Sequence, residues 1–275
     1  MKYTYYPGCS LKSTEIGYED SLKSSCEVLG IELKEVLDWN CCGATIFPKL
    51  SYKSYLLLST RNLALAEIYG EDLVTACNGC LNALNRANFY LQDNKNVLEK
   101  INGVLEKVGL NYHGKIKVRH FLEVIVKDVG EKSIKEKIKK GIHGIKVVSY
   151  YGCLYSRPFS SEDPQNPYYL ETLLKILGAE IIDFPSKTNC CGGILTISEE
   201  NCLKLIKDIL EEAQKSKADC IVTICPLCHI NLQLYQKRIK IFMPIVYFTQ
   251  LLGYSLGIEI SKLGKDIFSL KGLLK

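Results

Sequence analysis

Residues 220–236 read "CIVTICPLCHINLQLYQ". The first five are a short apolar, β-branched run, the signature of a buried strand. "LCHINLQLYQ" then carries helical spacing. Cys225-x-x-Cys228 lies at the join. Earlier in the chain, "LVTACNGC" at 73–80 repeats the arrangement, with Cys77-x-x-Cys80 after its own apolar run. A strand that delivers two thiols into a helix, twice in one chain, points to a duplicated α/β unit.

The flanking sequence repeats as well. "KYTYYPGCS" matches "KVVSYYGCL", "VLGIELKEV" matches "ILGAEIIDF", and "HFLEVI" resembles "YFTQLLG". Five cysteines recur in order in each copy: Cys9, Cys41, Cys42, Cys77 and Cys80, then Cys153, Cys190, Cys191, Cys225 and Cys228. The adjacent pairs stand in "WNCCGA" and "TNCCGG". Neighbouring cysteines are poorly placed to bond to each other, and the glycines after them allow torsions that a β-carbon resists.

Each copy alternates strand and helix signals. "IKVVSYYG", "AEIIDF" and "CIVTI" read as strands, and "PYYLETLLKILG" as a helix ending at Gly178. Ser198 can cap the next helix, on which Cys202, Ile206, Ile209 and Ala213 share one face. "YTYY", "IELKEVL" and "LVTA" are the corresponding strands of the first copy, and the segment after Cys80 reads as a long helix or a helical pair. The expected fold is α/β: two pseudo-repeated domains, each a small, mostly parallel sheet flanked by helices. Residues 1–130 form the first, 131–144 a linker with a short amphipathic helix, and 145–275 the second. Loops at the carboxyl ends of parallel strands converge on one edge, so the scattered cysteines can meet there.

Composition narrows the class. The chain has 275 residues, 47% of them hydrophobic and 24% charged, with a net charge of +5. That charge is too small, and too mixed with acids, to argue for nucleic acid. No signal peptide or membrane span is evident, and a cytoplasmic location is expected. In a reducing compartment, 13 cysteines indicate metal or redox chemistry in place of disulfides. Zinc needs four ligands, a cubane cluster four cysteines, and a dithiol exchange site two. Five thiols per copy favour an iron–sulfur centre over a zinc knot or a bare thiol cluster. Cys26, Cys202 and Cys220 read as core-packing residues.

These motifs resemble the CCG-domain family, and by layout the B-type components of heterodisulfide reductases; "YYPGCSLK", the two "NCCG" elements, "CPLCHINL" and "YFTQLLG" carry the likeness. The resemblance implies two noncubane [4Fe–4S] clusters. One would be held by Cys9, Cys41, Cys42, Cys77 and Cys80, the other by Cys153, Cys190, Cys191, Cys225 and Cys228. It implies reduction of the coenzyme M–coenzyme B disulfide between them, one electron from each. It also implies the C-type component of heterodisulfide reductase as electron donor and the flavin-bearing A-type component upstream. The chain has no flavin or nucleotide fingerprint of its own. Lys12 and Arg157, just after Cys9 and Cys153, are candidates to receive anionic ends of the substrate. His229 is a candidate proton donor, or a hydrogen-bonding support for a cluster sulfur or the backbone. The other reading is an electron-transfer subunit of a different anaerobic complex, working on another disulfide or a quinone or hydroxy-acid system.

Overall fold

The run "KYTY" forms β1 (Lys2–Tyr5), with three of its four residues buried. It pairs in parallel with β2 (Glu32–Glu35) on one side and β3 (Leu73–Thr75) on the other. β4 (Val118–His120) then adds beside β3, giving the order β2-β1-β3-β4. The second copy repeats this with β5 (Lys146–Tyr150), β6 (Glu180–Ile181), β7 (Cys220–Thr223) and β8 (Ile245–Tyr247), in the order β6-β5-β7-β8. All six pairings are parallel. The computed structural model describes residues 1–193, 198–270, 272 and 274.

The expected α/β architecture is therefore present as two four-stranded parallel sheets flanked by helices. The sequence pattern suggests three strands per copy, one fewer than the structure has. β4 and β8 are three residues each and run directly into the helices that begin at Phe121 and Phe248. Three residues are too few to display a period of two. The central strands are apolar because both faces are covered: every residue of β3 and β7 is buried.

Helices Ile16–Leu29, Tyr52–Glu67 and Asn78–Asp93 connect the first sheet, and Lys95–Leu105 completes a helical pair. In the second copy, Cys202, Ile206, Ile209 and Ala213 form the buried face of helix Glu199–Lys215. Ser198 stands at its N-cap, but its hydroxyl accepts from the Asn201 side chain at 2.9 Å and not from a backbone N–H. Within 131–144, helix Gly130–Lys137 buries Ile134.

The copies interlock about an approximate twofold relation. The single-turn helix Gly8–Leu11 packs against helix Pro226–Leu234 of the other copy, and its counterpart Cys153–Ser156 packs against helix Asn78–Asp93. Helix Ile16–Leu29 also packs against Phe248–Ser255. Buried hydrogen bonds cross this junction: Tyr18 Oη donates to the Ile224 carbonyl at 3.0 Å, and Asn78 Nδ2 to the Tyr151 carbonyl at 2.6 Å. Such bonds cost more to break than exposed ones, because the abandoned group stays dry.

Candidate metal centres

In each copy the strands end where the cysteines begin. β1 stops at Tyr5 and β3 at Thr75, four and two residues before Cys9 and Cys77, and the first CC pair follows β2. Cys9, Cys41, Cys42, Cys77 and Cys80 line one small cavity. Cys153, Cys190, Cys191, Cys225 and Cys228 line another. The structure thus gathers each set of five.

The two nests share three kinds of contact. Cys42 Sγ lies 3.3 Å from Cys80 Sγ, and Cys191 Sγ lies 3.4 Å from Cys228 Sγ. The backbone N–H of Gly43 donates to Cys41 Sγ at 3.5 Å, and that of Gly192 to Cys190 Sγ at 3.3 Å. Tyr6 Oη and Tyr150 Oη donate to the carbonyls of Asn40 and Asn189, each at 2.7 Å, and so tie β1 and β5 to the two CC loops. The nests also touch. Leu227 lines both cavities, and the Cys77 and Cys225 thiols perturb each other's protonation across that shared wall. Cys77 and Cys225 each sit at a helix N-cap.

Two glycines that the sequence pattern does not single out shape these nests. Gly8 and Gly152 have φ of +74° and +73°, and a β-carbon at either would stand 2.8 Å from Cys80 Sγ or Cys228 Sγ. Each glycine therefore leaves room for the last cysteine of its set. Their signal in the sequence is the shared "GC" of "PGCS" and "YGCL".

The donor chemistry fits a metal–sulfur centre. Among the described residues lining the two cavities there is no lysine, arginine or histidine. Thiols packed this closely compete for protons. Cys153 is pushed up by sharing a proton with Cys190, by burial and by the neighbouring thiolates. Cys190 is held down, to about 6, by that same bond, against burial and with help from the Gly192 N–H. Several thiolates packed into one pocket need a positive centre to be stable together, and a soft cationic centre is what five sulfurs would bind.

The other candidates lie elsewhere. Lys12 Nζ is held by Glu19 and Glu35, each at 2.7 Å, and lines neither cavity. Arg157 is exposed, with Nη2 donating to Thr188 Oγ1 at 3.2 Å. His229 is fully buried and stacked on Tyr247, with ring centroids 4.0 Å apart. Its Nδ1 is 3.2 Å from Thr223 Oγ1, and its Nε2 faces Asp266 Oδ1 at 3.7 Å. Both ring nitrogens point at protein groups, and His229 lines neither nest. Glu15 joins this cluster and accepts from Tyr247 Oη at 2.6 Å. Cys26, Cys202 and Cys220 are buried in the core. Cys202 also abuts the second CC loop, with Sγ 3.6 Å from the Gly192 carbonyl oxygen.

A family model for a cysteine-rich domain, CCG, matches residues 3–85 and again 147–233. The chain is 35% identical over 273 residues to the membrane anchor of the 8-methylmenaquinol:fumarate reductase of Wolinella succinogenes, covering 96% of this chain and 95% of that one. It is 33% identical over 277 residues to a protein of Archaeoglobus profundus described as like the B-type component of heterodisulfide reductase, covering 95% and 93%. Identity to the B-type component of the ferredoxin:CoB-CoM heterodisulfide reductase of Methanosarcina mazei is 28% over 276 residues, covering 96% and 92%. A hypothetical protein from Helicobacter pylori, known from its crystal structure, superposes with a TM-score of 0.74 at 15% identity. That match covers 96% of this chain, which spans about half (51%) of the other's length, and it speaks to fold alone. No helix among the described residues is long and apolar enough to cross a membrane.

Proposed function

The chain belongs to the CCG cysteine-rich domain family, and we propose that it is the disulfide-reducing component of a multi-subunit oxidoreductase. The observation that carries this reading is the pair of matched five-thiol nests with Leu227 as a common wall. Reduction of a disulfide takes two electrons and two protons and yields two thiols: R–S–S–R′ + 2e⁻ + 2H⁺ → RSH + R′SH. Two equivalent one-electron centres, side by side, suit a substrate with two equivalent sulfurs.

Cys9, Cys41, Cys42, Cys77 and Cys80 would hold one noncubane [4Fe–4S] cluster, and Cys153, Cys190, Cys191, Cys225 and Cys228 the other. Bound there, the clusters supply electrons singly. The protein's own part is positional. Tyr6 and Tyr150 fix the CC loops, Gly8 and Gly152 leave room for sulfur, and Leu227 forms a wall common to both nests. His229 supports the helix that carries Cys228 through Thr223 and Asp266; the protons reach the products from solvent. The electrons come from a partner, in this reading the C-type component of a heterodisulfide reductase fed by its flavin-bearing A-type component. The coenzyme M–coenzyme B disulfide is the substrate this reading favours.

The likeness to the Wolinella protein supports a second reading, electron transfer within a quinol-linked fumarate reductase. Anaerobic purification followed by iron and sulfide analysis tests both. About eight of each per chain, as two four-iron clusters require, is expected. Zinc without sulfide would remove the redox mechanism. Given full clusters, reduction of a disulfide by a reduced viologen dye supports the first reading; reoxidation by a quinone and not by a disulfide supports the second.

A further inference from the structure

A substrate reduced between the nests must also be held by its inert ends. Beside the first nest lies a pocket open to solvent. Its wall is shared with both centres: Ala44, Thr45 and Gly79 also line the first nest, and Leu154 lines the second. Lys49 and Arg86 line it, both exposed, and neither takes part in an ion pair among the described residues. Its described lining contains no carboxylate.

The placement follows from the helix after β3. Asn78, Asn82 and Arg86 recur every four residues and share one face. The first two donate to the Tyr151 and Arg157 carbonyls of the other copy, at 2.6 and 2.9 Å. Arg86 continues that row beyond the last cross-copy bond, and among the described residues its guanidinium has no ion-pair partner. Lys49 reaches the same pocket from the short helix Phe47–Leu50, which follows the first CC loop. By contrast, Lys12 is already neutralised by Glu19 and Glu35.

We propose that Lys49 and Arg86 form an anion subsite that receives a carboxylate, phosphate or sulfonate end of the substrate. This inference rests on the disulfide-reducing reading. A guanidinium suits the planar face of such groups, and an ammonium adds a point charge. Among the described lining, the second copy supplies Leu154 and no cation, so the subsite makes the two ends of a disulfide inequivalent. It selects a substrate with an anionic end over a neutral one.

The test uses the anaerobically purified, cluster-loaded protein and two probes, dithiodiglycolate and its uncharged diamide. Binding is read by calorimetry, and KM and kcat with a reduced viologen donor. The wild type should bind the dicarboxylate at least roughly tenfold more tightly than the diamide, one charge-assisted contact being worth about that factor. Lys49→Gln with Arg86→Gln should abolish the preference and raise KM for the dicarboxylate, with kcat and diamide binding unchanged. Lys49→Arg with Arg86→Lys should retain most of it. Equal KM values for both probes in the wild type, or a preference that survives the double glutamine change, overturns the subsite and leaves the disulfide reading standing. Failure to reduce either probe at full iron content overturns that reading and the subsite with it.

Discussion

Replacing Gly8 by alanine adds one methyl group and asks two things of the protein. At φ +74° the new β-carbon meets the backbone in the left-handed region, which costs about 1–2 kcal/mol. It would also stand 2.8 Å from Cys80 Sγ, whereas relaxed heavy-atom contacts lie at about 3.5–4.0 Å. The sulfur or the loop must then yield by about 0.7 Å or more, several times the roughly 0.2 Å that a metal–ligand distance tolerates. Gly8→Ala should therefore empty the first nest and spare the second. Iron and sulfide fall from about eight to about four per chain, as four-iron clusters require. Gly152→Ala should do the same to the second nest, through Cys228 Sγ at 2.8 Å. Gly30→Ala separates the two costs: its φ is also +74°, but nothing lies within 4 Å of an added β-carbon. It should lower stability by the same 1–2 kcal/mol and keep all the iron. Full iron in both Gly8→Ala and Gly152→Ala, or equal loss in Gly30→Ala, would refute the reasoning.

The tyrosine ties should differ between copies. The Asn40 carbonyl also accepts from Asn62 Nδ2 at 2.8 Å, so Tyr6→Phe leaves it partnered, and Tyr150→Phe should destabilise more, by about 1–2 kcal/mol, in anaerobic urea unfolding. Asn78→Ala should cost about 1–3 kcal/mol, because the Tyr151 carbonyl is left dry at the junction; a change below about 0.3 kcal/mol would argue against a rigid interlock. Cys26→Ala and Cys220→Ala remove buried core sulfurs and should lower stability with iron content unchanged, by colorimetric assay. Burial holds His120 down to about 4, so between pH about 6.5 and about 4 the unfolded chain binds the extra proton, and stability falls as pH falls. His120→Asn keeps an acceptor for the Leu122 N–H, now 3.1 Å from His120 Nδ1, and should flatten that slope between about pH 5 and 7.

The duplication, the two sets of five cysteines and the central strands were legible because each is local or repeated. β3 and β7 are apolar throughout, and the cysteines stand at matched intervals. Cys26 and Cys220 read correctly as core residues from the apolar faces they occupy. Lys12 and Arg157 each follow a cysteine closely, but proximity in the chain does not show where a flexible side chain finds its counter-charge. Glu19 and Glu35 claimed Lys12 from a helix and a strand 7 and 23 residues on. His229 follows Cys228 directly, yet a helix turns consecutive side chains about 100° apart, and it faces Asp266.

Spacing and residue type were enough to establish that the chain folds as two α/β copies and that ten thiols end beside strand termini. Those are properties of short segments, set by periodicity and side-chain chemistry. That the two nests share a wall at Leu227 came from the packing of one copy against the other. That Gly8 and Gly152 make room for sulfur, and that Lys49 and Arg86 border a common pocket, came from the folding of each copy on itself. All of these join residues far apart in sequence, and their geometry exists only once the sheets have formed.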